Sequence, residues 1–423
     1  MSANQHDVVI VGGGAGGIAV ASSLLKRDRS LDIAVIEPSE FHHYQPGLTM
    51  VGGGVFASEE IVKPMKHVMP RRVSWIKESV TEFRPDEHAV LLSDKTTISY
   101  RILVAAPGLT LNWSGVDGLA ETLGQNGVTS NYDPKCAPYT WDLVKSLGSG
   151  NAVFTQAPMP IKCAGAPQKA LYLSCFEWEE KGRLKNINVS FHNAGGVLFG
   201  VPEYVPALEL YMNRYGVDQQ FNHTLVAVDG SAKKAWFSVP GQDITKEVSF
   251  DMLHVCPPQT APAFVSSSPL ANETGWIDVD QDTLQHVRHD KVFGLGDACS
   301  TPNAKTAAAV RKQAPVVAEN VIAALAGKAP TAVYDGYGSC PLTVERGKVV
   351  LAEFGYGGKL LPSAPSWMLD GSKASRLAWH LKATLLPPIY FELMLKGREW
   401  LAKPAHASSP TPQSPSIPSI FSQ

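Results

Sequence analysis

The sequence lacks the features that mark several classes of protein. Lys and Arg together number 37 against 39 Asp and Glu, a formal net charge of −2, so the basic excess of a general nucleic-acid-binding protein is missing. Six scattered cysteines are too few for a secreted disulfide scaffold, and the absence of CxxC and CxxH spacings argues against structural zinc. No run of 18 or more residues is uniformly apolar, so no membrane-spanning helix is predicted.

The N-terminus carries no recognisable targeting segment. Only a few polar residues precede the first apolar run, residues 8–11, and they resemble neither a signal peptide nor an Arg-rich transit peptide. His42 and His43 are adjacent, and no acid or Cys completes a ligand set, so no metal site is predicted. The Ser- and Pro-rich residues 405–423 are predicted to form a disordered tail.

The rest of the chain has the composition of a folded protein with several domains. It is 44% hydrophobic, and at about 150 residues per domain its 423 residues predict two or three domains. Apolar runs that alternate with helix-like segments indicate parallel sheets. We therefore predict an α/β fold with two Rossmann-like doubly wound domains, one inserted in the other. The predicted parts are a nucleotide-binding domain at 1–115 and 265–330, a second domain at 116–264, and a C-terminal region at 331–404.

A glycine fingerprint lies between the first strand and the first helix. Gly12, Gly14 and Gly17 form GxGxxG, which permits a tight turn, close approach to a pyrophosphate and close packing of helix on strand. Glu37 ends the next predicted strand, twenty residues after Gly17, where it can hydrogen-bond a ribose hydroxyl. Together these features predict a dinucleotide site; the alternative is a glycine turn without a ligand.

Two later segments indicate whether the dinucleotide is FAD or NAD. Residues 101–108 and 291–298 resemble segments of flavoproteins that have two dinucleotide-type domains, where an acid, here Asp297, approaches FAD. The second domain lacks a fingerprint: its first strand is followed by QAPMPIKCAGAPQK, and its next strand ends at His192 and Asn193 rather than at an acid. NAD(P)H is therefore not expected to be the electron donor.

Two cysteines occupy unusual positions. Cys163 lies just before a predicted helix at 166–181, with Lys162 and Lys169 nearby, and both features favour the thiolate. Cys340 is predicted to lie in a loop, between Gly and Pro residues. The alternative interpretation of Cys163 is a structural role as a small residue of the core. The other four cysteines are interpreted as structural, with Cys299 left open because it follows the second flavin-like segment; they are Cys136, Cys175, Cys256 and Cys299.

The C-terminal region contains an amphipathic stretch. Residues 375–403 are interpreted as two short helices broken by Pro387 and Pro388, which lie in a membrane interface. A helical cap on the core and a dimer contact are the alternatives. The stretch mixes aromatic and basic residues, namely Trp379, Tyr390, Phe391 and Trp400 with Lys382, Lys396, Arg398 and Lys403.

Several stretches between FHHYQPGLTMVGGG and VVLAEFGY match those of a known family, and the most specific of them are KCAGAPQK and YDGYGSCPL. In these stretches the chain resembles sulfide:quinone oxidoreductases of mitochondria and related bacteria. The resemblance implies that Cys163 and Cys340 are the redox pair, with the persulfide on Cys340, and that Phe354 and Tyr356 line a quinone site. The residues implied in FAD binding are Gly12, Gly14, Ala15, Gly16, Gly17, Glu37, Gln45, Val80, Gly108, Asp297 and Lys305.

The resemblance also implies a reaction and its partners. Hydrogen sulfide would be oxidised to sulfane sulfur, a small acceptor (thiol, sulfite or sulfide) would remove it, and a ubiquinone-type quinone would be reduced at a membrane surface. The N-terminus of the helix near Lys305 would face the flavin. The missing transit peptide favours the cytoplasmic face of a bacterial inner membrane over the mitochondrial inner membrane. The alternatives are a type II NADH:quinone oxidoreductase and a non-catalytic flavin-fold sulfide sensor.

Overall fold

The computed structural model describes residues 4–407. The strands in chain order are β1 Gln5–Val11, β2 Ile33–Ile36, β3 Phe41–His43, β4 Val62–Pro64, β5 Val73–Ile76, β6 Val80–Arg84, β7 Ala89–Leu92, β8 Thr97–Ala105, β9 Thr110–Leu111, β10 Val128–Thr129, β11 Gly150–Gln156, β12 Ile187–Asn193, β13 Asp218–Phe221, β14 Thr224–Asp229, β15 Lys234–Ser238, β16 Lys246–Ser249, β17 Met252–His254, β18 Gln259–Thr260, β19 Val292–Gly294, β20 Ala332–Val333, β21 Gly338–Glu345, β22 Lys348–Phe354 and β23 Ala405–His406. The α-helices are α1 Ala15–Arg27, α2 Leu48–Gly52, α3 Met65–Val68, α4 Leu119–Thr122, α5 Ala137–Ser146, α6 Ala166–Glu180, α7 Val205–Arg214, α8 Ala263–Ser266, α9 Ala307–Leu325, α10 Arg376–His380 and α11 Leu386–Pro388.

The first sheet joins strands from residues 5–105 to a segment that follows β8 by almost 200 residues. Its strand order is β5-β2-β1-β8-β7-β6, and β19 also pairs with β8. The central pairings of β1 with β2 and β8, and of β19 with β8, are parallel. The apolar residues of these strands are fully buried, and helices α1 and α9 pack against each other over the sheet. This arrangement places the turn after β1 beside the ends of β8 and β19.

The second sheet is parallel throughout. Its order is β10-β17-β11-β12-β13, and α6 is the connection between β11 and β12. A separate antiparallel sheet, β14-β15-β16, follows β13. The prediction of an α/β fold with two Rossmann-like doubly wound domains, one inserted in the other, is confirmed, although the first sheet also contains the antiparallel pairings of β8 with β7 and of β7 with β6. The exact domain boundaries stay a prediction.

The C-terminal region contributes a β-hairpin to the second core. Strands β21 and β22 pair antiparallel, with Cys340 opposite Ala352, so the prediction that Cys340 lies in a loop is wrong. The side chains of Leu342, Val344 and Val350 are buried in the same apolar cluster as the inner face of α6. The hairpin therefore lies directly over α6, and this contact brings Cys340 towards the loop that precedes the helix.

The segment after the hairpin differs from the prediction of two helices broken by proline. Residues 376–396 form one continuous helical run in which α10 and α11 alternate with wide π-type turns, Leu381–Leu385 and Ile389–Leu393. Wide turns rearrange the hydrogen bonds of the helix, which lets the run continue where Pro387 and Pro388 lack an N–H donor. The run ends at Gly397, whose φ is +66°.

This helical run is packed on the protein rather than wholly exposed. Tyr390 and Phe391, which we expected at a membrane interface, are buried in the core of the first sheet, and Lys382 is also buried. Ser22 donates a hydrogen bond to the carbonyl of Leu395, and Arg27 pairs with the carboxylate of Glu399. Within residues 4–407 no helix is both long and apolar enough to span a bilayer.

The last described residues form part of the fold. Strand β23 pairs antiparallel with β20, so the segment predicted as a tail starts with a short strand. The remainder of the predicted tail, residues 408–423, lies outside the described residues.

Candidate active site

The turn after β1 and the start of α1 form a cradle in which Gly12 and Gly17 can be replaced by no other residue without a clash. Gly12 has a φ of +100°, and a Cβ there would lie 2.4 Å from the carbonyl oxygen of Ala106. A Cβ on Gly17 would lie 1.8 Å from the carbonyl oxygen of Gly12. At Gly14, in contrast, a Cβ would meet nothing within 4 Å, so the outer side of the turn is open to a ligand. Helix α1 starts at Ala15 without a side-chain cap, which leaves its first N–H groups available for phosphate oxygens.

Glu37 closes the cradle from the end of β2. One carboxylate oxygen accepts a hydrogen bond from the backbone N–H of Gly13 at 2.8 Å, and the other accepts from the N–H of Ser39 at 2.7 Å. Each oxygen retains a further lone pair for a ribose hydroxyl. Gly108 follows β8 with a φ of +74° and open space beyond its Cα. The residues at this edge of the first sheet therefore fit the adenosine and pyrophosphate parts of a dinucleotide.

The other residues expected at the cofactor lie in several environments. Asp297 is half-buried in the turn after β19, where burial raises the pKa of its carboxyl. Gln45 accepts a hydrogen bond from the ammonium of Lys162 at 2.8 Å, and Gly16 is buried at the start of α1. Val80 is buried in the first position of β6.

Lys305 is turned towards the protein. Its ammonium donates hydrogen bonds of 2.8 Å to the carbonyl oxygens of Asp297 and Cys299 and lies 4.3 Å from the ring centroid of Trp276. Helix α9 begins after it, and Thr306 caps the helix by accepting a hydrogen bond from the N–H of Ala309. A cofactor contact by the Lys305 ammonium stays a prediction, since that group already serves two carbonyls.

The structure brings Cys163 and Cys340 together. Their Sγ atoms lie 3.4 Å apart although 177 residues separate them in sequence. Cys163 has a left-handed backbone, with a φ of +51°, and its N–H donates to the carbonyl of Lys305 at 2.9 Å. A Cβ on Gly165 would lie 2.6 Å from the Cys340 Sγ, so the glycine allows the hairpin to approach the start of α6 this closely.

The two thiols have different protonation preferences. The hydrogen bond from Cys340 holds the pKa of Cys163 well below its usual range, and Lys169, whose ammonium lies 2.9 Å from the Cys163 Sγ, lowers it further. The pKa of Cys340 is raised by the same hydrogen bond and by burial. Burial alone would lower the pKa of Lys169, but the neighbouring Cys163 charge raises it overall. The arrangement is therefore a Cys163 thiolate paired with a Cys340 thiol and a lysine cation.

Sequence reasoning missed a second lysine at this pair. Lys382 comes from the first wide turn of the C-terminal helical run, and it is 4% exposed. Burial, followed by repulsion from the charge of Lys169, lowers its pKa to about 7, while Cys163 and Cys340 act in the opposite direction. A lysine between apolar residues in HLKATLL was a weak signal of burial, but no local pattern linked it to the cysteines. Lys162, which was expected to act on Cys163, directs its ammonium to Gln45 instead.

The remaining cysteines have the properties of core residues. Burial raises the pKa of Cys136 and Cys256 to about 11 and that of Cys299 to about 12. Burial also raises the pKa of Cys175 well above its usual value. A thiol that stays protonated at neutral pH is a poor nucleophile, so all four agree with a structural interpretation.

Phe354 and Tyr356 lie just beyond the hairpin that carries Cys340. Phe354 is the last residue of β22, and its ring centroid is 5.9 Å from that of Phe199. The Tyr356 hydroxyl donates to the carbonyl of Gln281 at 2.7 Å. They are close to each other in the chain, but a quinone contact by either stays a prediction.

The second parallel sheet does not present an acid for a ribose. Strand β12 ends with His192 and Asn193, and His192 lies 3.2 Å from His223 between their Nδ1 atoms. Burial and the neighbouring His223 lower the pKa of His192 to about 3, so its imidazole is neutral. The described residues at the end of β12 in the second sheet therefore include no carboxylate equivalent to Glu37 at the end of β2 in the first sheet.

Comparison with known proteins identifies relatives of the whole chain. The family model described as pyridine nucleotide-disulphide oxidoreductase matches residues 6–138. The mitochondrial sulfide:quinone oxidoreductase of Dictyostelium discoideum is 44% identical over 404 residues, 95% of this chain and 88% of that protein. The protein of the same name in Mus musculus is 38% identical over 397 residues, 93% of this chain and 87% of that protein. The solved structure of the sulfide:quinone oxidoreductase from Aquifex aeolicus matches with a TM-score of 0.78 and 20% identity, covering 93% of this chain and 92% of that one, and it shows the shared fold.

Proposed function

The chain belongs to the sulfide:quinone oxidoreductase family, and we propose that it is an enzyme that oxidises hydrogen sulfide to sulfane sulfur and reduces a ubiquinone-type quinone. The single observation that carries this proposal is the Cys163–Cys340 pair, with Sγ atoms 3.4 Å apart, close to Lys169 and to the buried Lys382. Membership of the family implies a flavin cofactor, and we propose FAD in the cradle formed by Gly12, Gly14 and Glu37.

The cysteine pair provides the sulfur chemistry. In the oxidised enzyme a bridge links Cys163 and Cys340, and hydrosulfide attacks it as a thiolate attacks a disulfide. The new S–S bond forms on Cys340, which holds the sulfane sulfur as a persulfide, and the bond to Cys163 breaks so that Cys163 leaves as a thiolate. The lowered pKa of Cys163 supports this assignment, because the sulfur with the lower pKa is the better leaving group.

The bridge can contain one further sulfur atom. Two S–S bonds of about 2.05 Å that meet at a near-tetrahedral sulfur span about 3.3 Å between their outer atoms. The observed 3.4 Å between the two Sγ atoms is close to this span, so a trisulfide needs little movement of the chain, whereas a disulfide needs the two Sγ atoms to approach each other by about 1.3 Å.

A bound flavin would supply two-electron chemistry between the cysteine pair and quinone. The protein's own part is to hold charge and exclude water. Lys169 stabilises the Cys163 thiolate, and Lys382, with a pKa of about 7, can give or take a proton near neutral pH. A small thiol, sulfite or sulfide removes the sulfane sulfur from Cys340 and allows the bridge to form again.

The location and the parts of the chain are also proposals. We assign 1–115 and 265–330 to the FAD domain, 116–264 to a domain without a nucleotide site, and 331–404 to the redox cysteine, the quinone site near Phe354 and Tyr356, and membrane contact. We propose peripheral attachment to the cytoplasmic face of a bacterial inner membrane. The alternative is the mitochondrial inner membrane, which is supported by the curated relatives that are named as mitochondrial.

The electron donor is tested by anaerobic stopped-flow absorbance of the flavin-loaded protein. Sulfide is expected to reduce the flavin rapidly, and NADH is expected not to, because the second sheet lacks a fingerprint and a ribose-binding acid. Added quinone should then restore the oxidised spectrum. Comparable reduction by NADH would overturn the assignment.

The cysteine pair is tested by substitution. Cys163→Ser and Cys340→Ser should each slow sulfide-driven flavin reduction by orders of magnitude, and the double variant should be little worse than either, because residues that act as a unit are not additive. Flavin content should be unchanged, since neither residue is in the cradle.

The matched control is Cys175→Ser, because Cys175 is a buried thiol within α6 and away from the pair. It should retain nearly the wild-type rate. Mass spectrometry of the resting enzyme should find the 163 and 340 peptides linked by a disulfide or trisulfide. Near-normal sulfide oxidation by Cys340→Ser would exclude the two-cysteine mechanism.

A further inference from the structure

A large basic groove lies outside the redox site. It has a volume of about 720 Å³ and is lined by the second half of α1, the loop between α3 and β5, and residues 395–398 at the end of the C-terminal helical run. The described residues that line the groove include no aspartate and no glutamate. Its basic lining consists of Lys26, Arg29, His67, Arg71, Arg72, Lys396 and Arg398.

Four of these cations have no acidic counterpart. Lys396 pairs with Glu392, and Lys26 lies 4.0 Å from Glu399. Across residues 4–407, in contrast, the guanidinium groups of the four arginines form no ion pair and donate no side-chain hydrogen bond to the protein; they are Arg29, Arg71, Arg72 and Arg398. The whole chain has a net charge of −2, so the groove is a local concentration of positive charge in a slightly acidic protein.

Uncompensated arginines at a concave surface favour a phosphate ligand. The planar guanidinium donates two parallel hydrogen bonds to phosphate oxygens, which is why arginine is preferred in phosphate recognition. The volume of about 720 Å³ is large enough for more than a single inorganic ion. The ligand chemistry is therefore a phosphate ester with additional bulk.

The surroundings of the groove favour a lipid as the source of that phosphate. Trp400 and Leu401 follow Arg398 directly in the chain, and their side chains are 56% and 58% exposed. Leu385, in the helical run that leads into the groove, is 51% exposed. Exposed apolar side chains next to a basic surface form the pattern of a protein that lies on an anionic bilayer.

We propose that this groove binds the phosphodiester headgroup of an anionic glycerophospholipid. The groove thereby anchors the C-terminal segment to the bilayer surface. The inference rests on the proposed function, because a quinone dissolved in a bilayer has to be reached from its surface.

The groove is separate from the sulfur and flavin chemistry. Lys26 is twelve residues along α1 from the Gly14 turn, about 18 Å at 1.5 Å per residue. None of the groove residues belongs to the glycine cradle or to the surroundings of Cys163 and Cys340. Substitutions in the groove can therefore be tested without altering the catalytic residues.

The test compares vesicle binding of the flavin-loaded wild type and Arg71→Gln/Arg72→Gln. Both arginines are exposed, so the variant should fold normally. With vesicles of phosphatidylcholine and phosphatidylglycerol, partitioning of the variant should be about 25-fold weaker, since each cation near an anionic surface contributes about a factor of five. With phosphatidylcholine alone, the two proteins should partition equally.

The matched control is Lys95→Gln/Lys185→Gln, which removes two exposed lysines that lie outside the groove. The affinity of this control for anionic vesicles should lie within about twofold of the wild-type affinity, because binding depends on the groove and not on the overall charge of the protein. A loss equal to that of the arginine variant would overturn the proposal. Unchanged vesicle binding by the arginine variant would also overturn it.

A free phosphate compound is distinguished by thermal unfolding. If inorganic phosphate stabilises the wild type but not Arg71→Gln/Arg72→Gln, while both bind vesicles equally, the groove is a site for soluble phosphates and not for lipid. Sulfide-dependent reduction of a water-soluble, short-chain quinone should be the same in both proteins. Failure of the wild type in that assay would overturn the proposed reaction, whereas the vesicle result would still decide the lipid site.

Discussion

At the scale of single residues, two thiols of the same intrinsic chemistry acquire opposite roles from their surroundings. Cys163 accepts hydrogen bonds from the Cys340 thiol and the Lys169 ammonium, and the pKa of Cys163 falls. Cys340 donates, and its pKa rises. The difference assigns the leaving thiolate to Cys163 and the persulfide to Cys340 in the proposed reaction.

Lys169 is predicted to control the reactivity of Cys163 through charge. In Lys169→Met the stabilising ammonium at 2.9 Å is lost, so the pKa of Cys163 should rise. Alkylation of the reduced enzyme at Cys163 by iodoacetamide, followed by mass spectrometry across pH, should show an inflection at higher pH and a rate about tenfold lower at neutral pH.

Lys162→Met is the control for this experiment. Lys162 is adjacent to Cys163 in sequence, but its ammonium donates to Gln45. The pH profile of Cys163 alkylation in Lys162→Met should stay close to that of the wild type. An unchanged profile in Lys169→Met would show that hydrogen bonding by Cys340 alone sets the thiolate.

At the scale of elements, the C-terminal helical run has two faces with different functions. One face is part of the protein core, through Tyr390, Phe391 and their neighbours, and Tyr390 also bonds His42 at 2.7 Å between the hydroxyl and Nε2. The other face leaves Leu377 and Leu385 more than half exposed. Removal of the whole run would therefore damage the fold, so its membrane contact has to be tested by point substitution.

Leu377→Ser/Leu385→Ser is predicted to weaken binding to neutral phosphatidylcholine vesicles by about 30-fold. The two leucines are 54% and 51% exposed, and burial of each exposed half in lipid contributes about 1 kcal/mol. Co-sedimentation with vesicles measures the effect, and the unfolding transition should be unchanged because neither side chain is in the core.

Ile244→Ser is the matched control, because Ile244 is 82% exposed between β15 and β16, away from the helical run. It should leave vesicle binding unaltered. If the double leucine variant binds as the wild type does, another surface makes the apolar contact with the membrane.

At the scale of the whole molecule, several buried histidines make stability depend on pH. Burial lowers the pKa of His42 and His286 to about 4 and that of His192 and His254 to about 3. In the unfolded chain each would titrate near 6.5. Between these values the unfolded state binds more protons than the folded state, so the free energy of unfolding falls as pH decreases.

Stability is therefore predicted to change little through these histidines above pH of about 6.5 and to fall from there towards pH of about 4, by about 1 kcal/mol per histidine per pH unit. Urea denaturation of the flavin-loaded protein at a series of pH values measures the slope. His286→Gln replaces a ring that contacts the carbonyl of Leu270. This variant should reduce the slope of stability against pH by the contribution of one histidine. Equal stability at neutral and mildly acid pH would contradict the prediction.

What the sequence by itself determined is the chemistry carried by short, local patterns. GxGxxG followed by Glu37 predicts the cradle, because a glycine turn, the start of a helix and the end of the next strand are fixed by nearby residues. The α/β class and the helix at α6 follow from hydrophobic periodicity, which is also local. The position of Cys163 before that helix, with Lys169 two turns further on, could be interpreted for the same reason.

Only the tertiary structure decided how distant segments meet. The hairpin over α6 places Cys340 3.4 Å from Cys163, and a wide turn of the C-terminal run brings Lys382 to the same pair. The arginines of the basic groove likewise come from three separate parts of the chain. Proline suggested a break at residues 387–388, but packing of Tyr390 and its neighbours in the core keeps the run helical through wide turns. Such outcomes depend on the burial of side chains against partners far away in sequence, and local propensity contains no information about those partners.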